Sequence, residues 1–202
     1  MEKWSKTADK AIVDKTMSAL KANGIEAFLV HTGEEAKNKV LELIPHGSEV
    51  MTMTSATNDA IGLTKELNES GKYKPIRDKI YAMDKKTQGT EMKRLGSAHE
   101  FTVGSVHAVT EDGHVLIASA SGSQLPAYAY GGGKVIWVVG TQKIVKNVEE
   151  GMKRIHDYTF PLEDARALKV YGVNSAISKI LIVNKENPGR ITIVFVNEVL
   201  GF

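Results

Sequence analysis

Residues 118–134 read ASASGSQLPAYAYGGGK, with one charged side chain, three serines, four glycines and a single proline. That composition suits a flexible linker, a loop that cradles phosphate, or a folded connection, and the flanks decide among them. HVLIA (114–118) before it and VIWVVG (135–140) after it are apolar runs of strand length, the second continuous enough for a parallel strand buried on both faces. Leu125, Ala127, Tyr128 and Ala129 bring apolar atoms to the middle, which a solvated linker does not need. A nucleotide loop follows a strand and opens a helix, so that helix amides meet the phosphates. Here Gly131, Gly132, Gly133 and Lys134 precede a strand, and Val135 stands where a Walker loop needs Ser or Thr; the dinucleotide fingerprint fails for the same reason. The stretch is therefore a strand-end loop at 121–123, a short packed helix over 125–130 and a glycine turn into a buried strand.

Outward from this segment, helices and strands alternate. Val13, Met17 and Leu20 recur at helical spacing before Gly24, and IEAFLV (25–30) reads as a strand. Thr32 is a candidate N-cap for a helix with Ala36, Val40, Leu43 and Ile44 inward, ending near Pro45. SEVMTM (48–53) is a strand, and the chain turns from it into a helix around 55–58 with Ala60, Leu63 and Leu67 inward. A more polar helix is expected over 83–96. The EDG at 111–113 signals a hairpin between VHAVT and HVLIASA. NVEEGMKRIHDY (147–158) is helical, and SKILIVN and RITIVFV form two strands joined by a turn at KENPG. The order predicts an α/β layered fold: a largely parallel sheet flanked by helices, with antiparallel additions, in one domain over 1–202.

Composition excludes several classes. With 42% hydrophobic and 25% charged residues the chain is globular, and a net charge of +2 with no dense basic run argues against nucleic acid as a partner. There is no cysteine for a disulfide, a thiolate metal site or a thiol nucleophile. The six histidines fall at 31, 46, 99, 107, 114 and 156, without the spacing of a metal site. No apolar run is long enough for a membrane span, and the charged start lacks the apolar core of a signal peptide, so a cytoplasmic location is expected.

Four hydroxyls in six residues, Thr52, Thr54, Ser55 and Thr57, follow a strand and open a helix, a pattern for holding a small anion; plain helix capping is the alternative. Glu111 and Asp112 are the carboxylates nearest in sequence to the glycine-serine stretch and are candidates for acid-base chemistry, unless their turn leaves them solvated. Lys143, just past a strand end, can meet an anion or stand in solvent at a helix start. His107 and His114 flank the hairpin and are read as ordinary strand histidines.

Taken together, VMTMTSATNDAIGL, VHAVTEDGHVLIASASGSQLPAYAYGGGKVIWVVGTQKIVKNVEEGMKRI and the closing NEVLGF resemble the LUD family, the lactate-utilisation domain proteins. The resemblance covers most of the chain after about residue 10. It implies a fold like the pentose-phosphate isomerases, amino-sugar-phosphate deaminases and CoA-transferases, with sites on strand-end loops. It implies a role in oxidising lactate to pyruvate beside iron–sulfur partner proteins. The matching positions are Thr54 and Ser55, then Glu111, Asp112 and Gly113, then Ser121, Gly122 and Ser123, and Lys143. Short relatives often carry a cysteine cluster where this chain has LKVYGVNSAISKILIV, with Asn174 and Ser175 and no thiol.

The reading is a protein that binds a small anionic metabolite, with no cofactor or metal of its own and a homodimer as the base-rate expectation. Thr52, Thr54, Ser55, Gly113, Ser121, Gly122 and Ser123 are the ligand-binding candidates. In an enzyme, Glu111 or Asp112 is the base and Lys143 the charge stabiliser. The alternatives are a sugar-phosphate isomerase, an acyl- or CoA-transferase-like enzyme, and a non-catalytic assembly subunit.

Overall fold

The computed structural model describes residues 2–202; residue 1 of the expected domain lies outside the described residues. In chain order the elements are α1 (Lys10–Ala22), β1 (Glu26–Val30), α2 (Gly33–Leu43), β2 (Glu49–Thr52), α3 (Ala56–Ala60), α4 (Leu63–Glu69), β3 (Lys74–Pro75), α5 (Ile76–Tyr81), α6 (Lys85–Leu95), β4 (His99–Gly104), β5 (Ala108–Thr110), β6 (Val115–Ser119), β7 (Gly132–Gly140), β8 (Ile144–Val145), α7 (Val148–Arg154), α8 (Phe160–Tyr171), β9 (Lys179–Val183) and β10 (Ile191–Val196). Six strands form one sheet in the order β1-β10-β7-β4-β2-β3, and every neighbouring pair is parallel. A second sheet runs β8-β5-β6-β9. The fold is α/β, with a parallel main sheet and a mixed second one.

β7 explains why the parallel sheet forms. Val135, Trp137 and Val139 point into one core cluster and Ile136 and Val138 into the other, and all five are buried. β10 divides in the same way, with Ile193 and Phe195 on one face and Val194 and Val196 on the other. Side chains alternate across a strand, so a continuous apolar run is stable only with both faces covered. α2 and α4 cover one face through Ala36, Val40, Leu63 and Leu67; α1 and the second sheet cover the other through Leu20, Val109 and Val115.

The opening segment folds much as its sequence suggests. Gly122 turns the chain at φ +84°, Ala127–Gly131 form one turn of π-helix, and the strand begins at Gly132. Tyr128 packs edge-on against Trp137 with ring centres 5.2 Å apart. A Cβ on Gly131 would lie 1.9 Å from the Ser97 carbonyl oxygen, so close backbone approach requires glycine there.

Three expectations need correction. The helix after β2 breaks at Gly62, whose φ of +70° separates α3 from α4. SKILIVN and RITIVFV do follow one another through a turn, but β9 pairs antiparallel with β6 while β10 inserts between β1 and β7. The helix at 147–158 does not stop: a π turn at Ile155–Thr159 carries it into α8, and Pro161, which has no N–H for the helical ladder, follows directly after that turn. The pattern also passes over α5.

Candidate functional site

In a parallel sheet, the loops that follow adjacent strands emerge at the same edge. β2, β4 and β7 are side by side, with Thr52 opposite Val103 and Gly104 opposite Trp137, so residues 53–57, 105–107 and 141–143 converge beyond their carboxyl ends. Open α/β sheets bind ligands at this edge. Here it borders a cavity of about 950 Å³, closed on its other sides by α5, α6, the 119–124 loop, α8 and residues 175–177.

Lys143 ties the three loops together. It is 1% exposed, and its Nζ donates to Thr57 Oγ1 (3.0 Å) after β2 and to Ser105 Oγ (3.1 Å) and the Val106 carbonyl (3.2 Å) after β4. The Thr57 and Ser105 hydroxyls donate onward to the carbonyls of Leu200 and Val138. Both are therefore acceptors toward Lys143, and three acceptors suit an ammonium with three protons. Burial and the nearby Arg154 charge push the other way, holding the amine well below the usual lysine range. No carboxylate offsets them: among the described residues, Lys143 pairs with none.

Arg154 doubles this imbalance. It is 0% exposed, donates to the His107 carbonyl and to Thr159 Oγ1 (2.9 Å), and leaves Nε and its second terminal nitrogen without a partner. The Tyr158 ring lies 5.2 Å from its guanidinium carbon. Burial lowers it to about 10, so it is still a cation at neutral pH.

His107 lines the cavity between these two charges. The Ala118 N–H points at its Nδ1 (3.0 Å), so the ring accepts there and carries its proton on Nε2, which no described residue engages. Burial, then Lys143 and Arg154, drive the ring down to about 3 and keep it neutral.

The expected site residues divide into two groups. Thr52, Thr54, Ser55, Ser121, Gly122, Ser123 and Lys143 all line the cavity. Several of their hydroxyls are already engaged: Ser55 caps α3 by accepting from Asn58 N–H (3.2 Å), Thr52 pairs with Asn68, and Ser121 donates to Ser123. Glu111, Asp112 and Gly113 are not among the lining residues. Glu111 pairs with Lys15 of α1 (2.8 Å), the Thr110 hydroxyl bonds to Asp112, and Gly113 turns at φ +85° against Ala19 and Leu20. The hairpin tip packs on α1, away from the cavity lining.

Residues that sequence reasoning passed over are Ser105, Arg77 and Arg154, and His107, read as an ordinary strand histidine, lines the cavity. A charged residue at an inward helical position, as Arg154 is, was the only available signal. Among the charged side chains of the described residues the lining is one-sided: Arg77, Lys85, Lys93, Lys143 and Arg166 against Glu163, which grips Arg166 with both oxygens at 2.7 Å. No group of three or more metal-ligating side chains gathers among the described residues.

These features define an α/β protein with a cavity of mainly basic charged lining at the carboxyl ends of a parallel sheet. The chain belongs to the LUD domain family, whose sequence profile matches residues 13–196. Among solved structures it is similar to a DUF162 family protein from Deinococcus radiodurans, at 12% identity and a TM-score of 0.57 over 93% of this chain and 97% of that one, a likeness of fold. An alignment with eIF2B delta from Chaetomium thermophilum, at 11% identity, covers 71% of this chain and 57% of the other; its TM-score of 0.33 carries no argument. No curated protein sequence matches the chain significantly. Family membership places the protein among those related to lactate utilisation.

Proposed function

We propose that the chain binds the carboxylate of a small organic acid at the floor of this cavity and serves lactate utilisation beside iron–sulfur proteins that carry the electrons. The observation that carries the reading is Lys143, a buried amine with no carboxylate partner that lines a cavity able to admit one, with the equally unpaired Arg154 buried nearby. Removing a charge from water costs several kcal/mol unless a counter-charge replaces the lost solvation. An anion at the floor supplies it. Lys143, whose protons go to Thr57, Ser105 and Val106, acts on the carboxylate through space, and His107 presents Nε2–H to the hydroxyl or oxo oxygen beside it.

Proton abstraction by Glu111 or Asp112 has no support in the geometry, because neither lines the cavity. Glu163 is the one acidic side chain in the lining among the described residues, and Arg166 holds both its oxygens. The isomerase and transferase alternatives need a free base or nucleophilic carboxylate that this wall does not present.

The test is a melting-temperature titration of the intact protein with lactate, pyruvate and lactamide, the neutral amide of the first. A ligand at about 100 times its dissociation constant adds about 2.7 kcal/mol of stability. Both acids are expected to raise the melting temperature and lactamide is not; equal shifts from acid and amide would overturn a charge-based site.

A further inference from the structure

A three-carbon acid has about six non-hydrogen atoms, which at about 30 Å³ for each water-sized group occupy roughly 200 Å³. The cavity is about 950 Å³. A ligand bound only by its carboxylate at Lys143 leaves most of it unfilled, and the remaining wall has a chemistry of its own.

That wall comes from α5 and α6. Lys85, Gly89, Met92 and Lys93 line the cavity at the spacing of one helical face. No residue of α6 is buried, so core packing does not account for this face. Gly89 has nothing within 4 Å of where a Cβ would lie and leaves the face open between the two lysines. Arg77 of α5 completes the cluster: it is half-buried, its guanidinium lies 5.2 Å from the Tyr81 ring centre, and it donates to Thr54 Oγ1 (3.4 Å). None of the three cations makes an ion pair with an acidic side chain among the described residues. The rest of the lining adds apolar side chains, Met53, Tyr128, Ile155 and Phe160, beside the hydroxyls of the 52–57 segment.

We infer that the natural ligand is an organic acid extended through an apolar stretch to a second, phosphate-like dianion, which Arg77, Lys85 and Lys93 receive at the rim. This rests on the proposed carboxylate site and names the class of molecule that occupies it. A guanidinium with two ammonium groups around one dianion makes charge-assisted hydrogen bonds, stronger than neutral ones. Apolar burial along the middle adds to the affinity without adding to the charge.

Calorimetry on the intact protein with hexanoate, hexylphosphonate and phosphonohexanoate tests this, since the third compound joins the anionic ends of the first two across a six-carbon chain. Phosphonohexanoate is expected to bind at least about tenfold more tightly than hexanoate, or about 1.4 kcal/mol. That ratio should collapse toward one in Arg77→Ala and in a Lys85→Ala, Lys93→Ala double variant, whose changes are at half-buried and exposed positions and whose folding is checked by melting temperature. Equal affinities of hexanoate and phosphonohexanoate, both lost in Lys143→Met, would overturn the extended ligand and leave the carboxylate site standing. Binding of hexylphosphonate with no binding of hexanoate, unaffected by Lys143→Met, would overturn the carboxylate site and this inference with it. A ratio that survives loss of the rim cations would also overturn the inference.

Discussion

His107 is a histidine that the folded protein keeps from titrating. The Ala118 N–H occupies Nδ1, Lys143 and Arg154 stand nearby, and the ring falls from an ordinary value of 6.5 to about 3. The unfolded chain takes up a proton below about pH 6.5 that the folded chain refuses, so this residue's contribution to stability is complete above that pH and is lost as pH falls toward 3. The slope is at most about 1.4 kcal/mol per pH unit. Denaturant unfolding at pH 6 and pH 5 should show wild type losing more stability over that step than His107→Gln, which has nothing to titrate there. Parallel losses in the two proteins would mean that the imidazole is not held neutral. None of this is legible in the sequence, where His107 is one of six scattered histidines. Its neutrality depends on Ala118, Lys143 and Arg154, which only the fold brings to it. Lys143 was legible as a residue past a strand end; its three acceptors, from two other loops, were not.

At the scale of elements, the segment 118–134 was the most readable part of the chain because its constraints are local. Its apolar flanks set the strands, its apolar middle sets the packed turn, and its glycines allow backbone to meet backbone. Gly131 gives the sharpest test. Alanine there places a carbon against the Ser97 carbonyl at 1.9 Å, and overpacking of this kind costs about 3 kcal/mol. Gly131→Ala should lower the stability measured by urea unfolding by that amount, whereas Gly89→Ala, which meets open space in the middle of α6, should raise it by about 0.5–1 kcal/mol. Comparable effects at the two positions would contradict the packing described. Elements whose pairing is non-local were harder to read. β9 and β10 adjoin in sequence and part into different sheets, since β10 is apolar on both faces and needs a central position, while β9 is buried only at Val183. α6 shows the limit of periodicity: its informative face borders a cavity and carries lysines, not the apolar stripe that marks a core helix.

Across the whole molecule, the parallel order β10-β7-β4-β2 aligns the carboxyl ends of strands that are far apart in sequence and gathers at one edge the groups that no single motif contained. This explains which expected residues meet. Thr54, Ser55 and Lys143, which follow parallel strands, line the cavity, as do Ser121, Gly122 and Ser123 after β6; Glu111 and Asp112, at the tip of the β5-β6 hairpin, do not. It also ties the proposed binding to one residue, because Lys143 bonds to both neighbouring loops and is the basic group at the floor. Lys143→Met keeps the length of the side chain and removes that basic group. The decisive measurement is the affinity for pyruvate by calorimetry on wild type and Lys143→Met, both confirmed folded by their melting transitions. Saturable binding by wild type, weakened by at least about tenfold in the variant, is the result predicted; equal affinities would contradict the account.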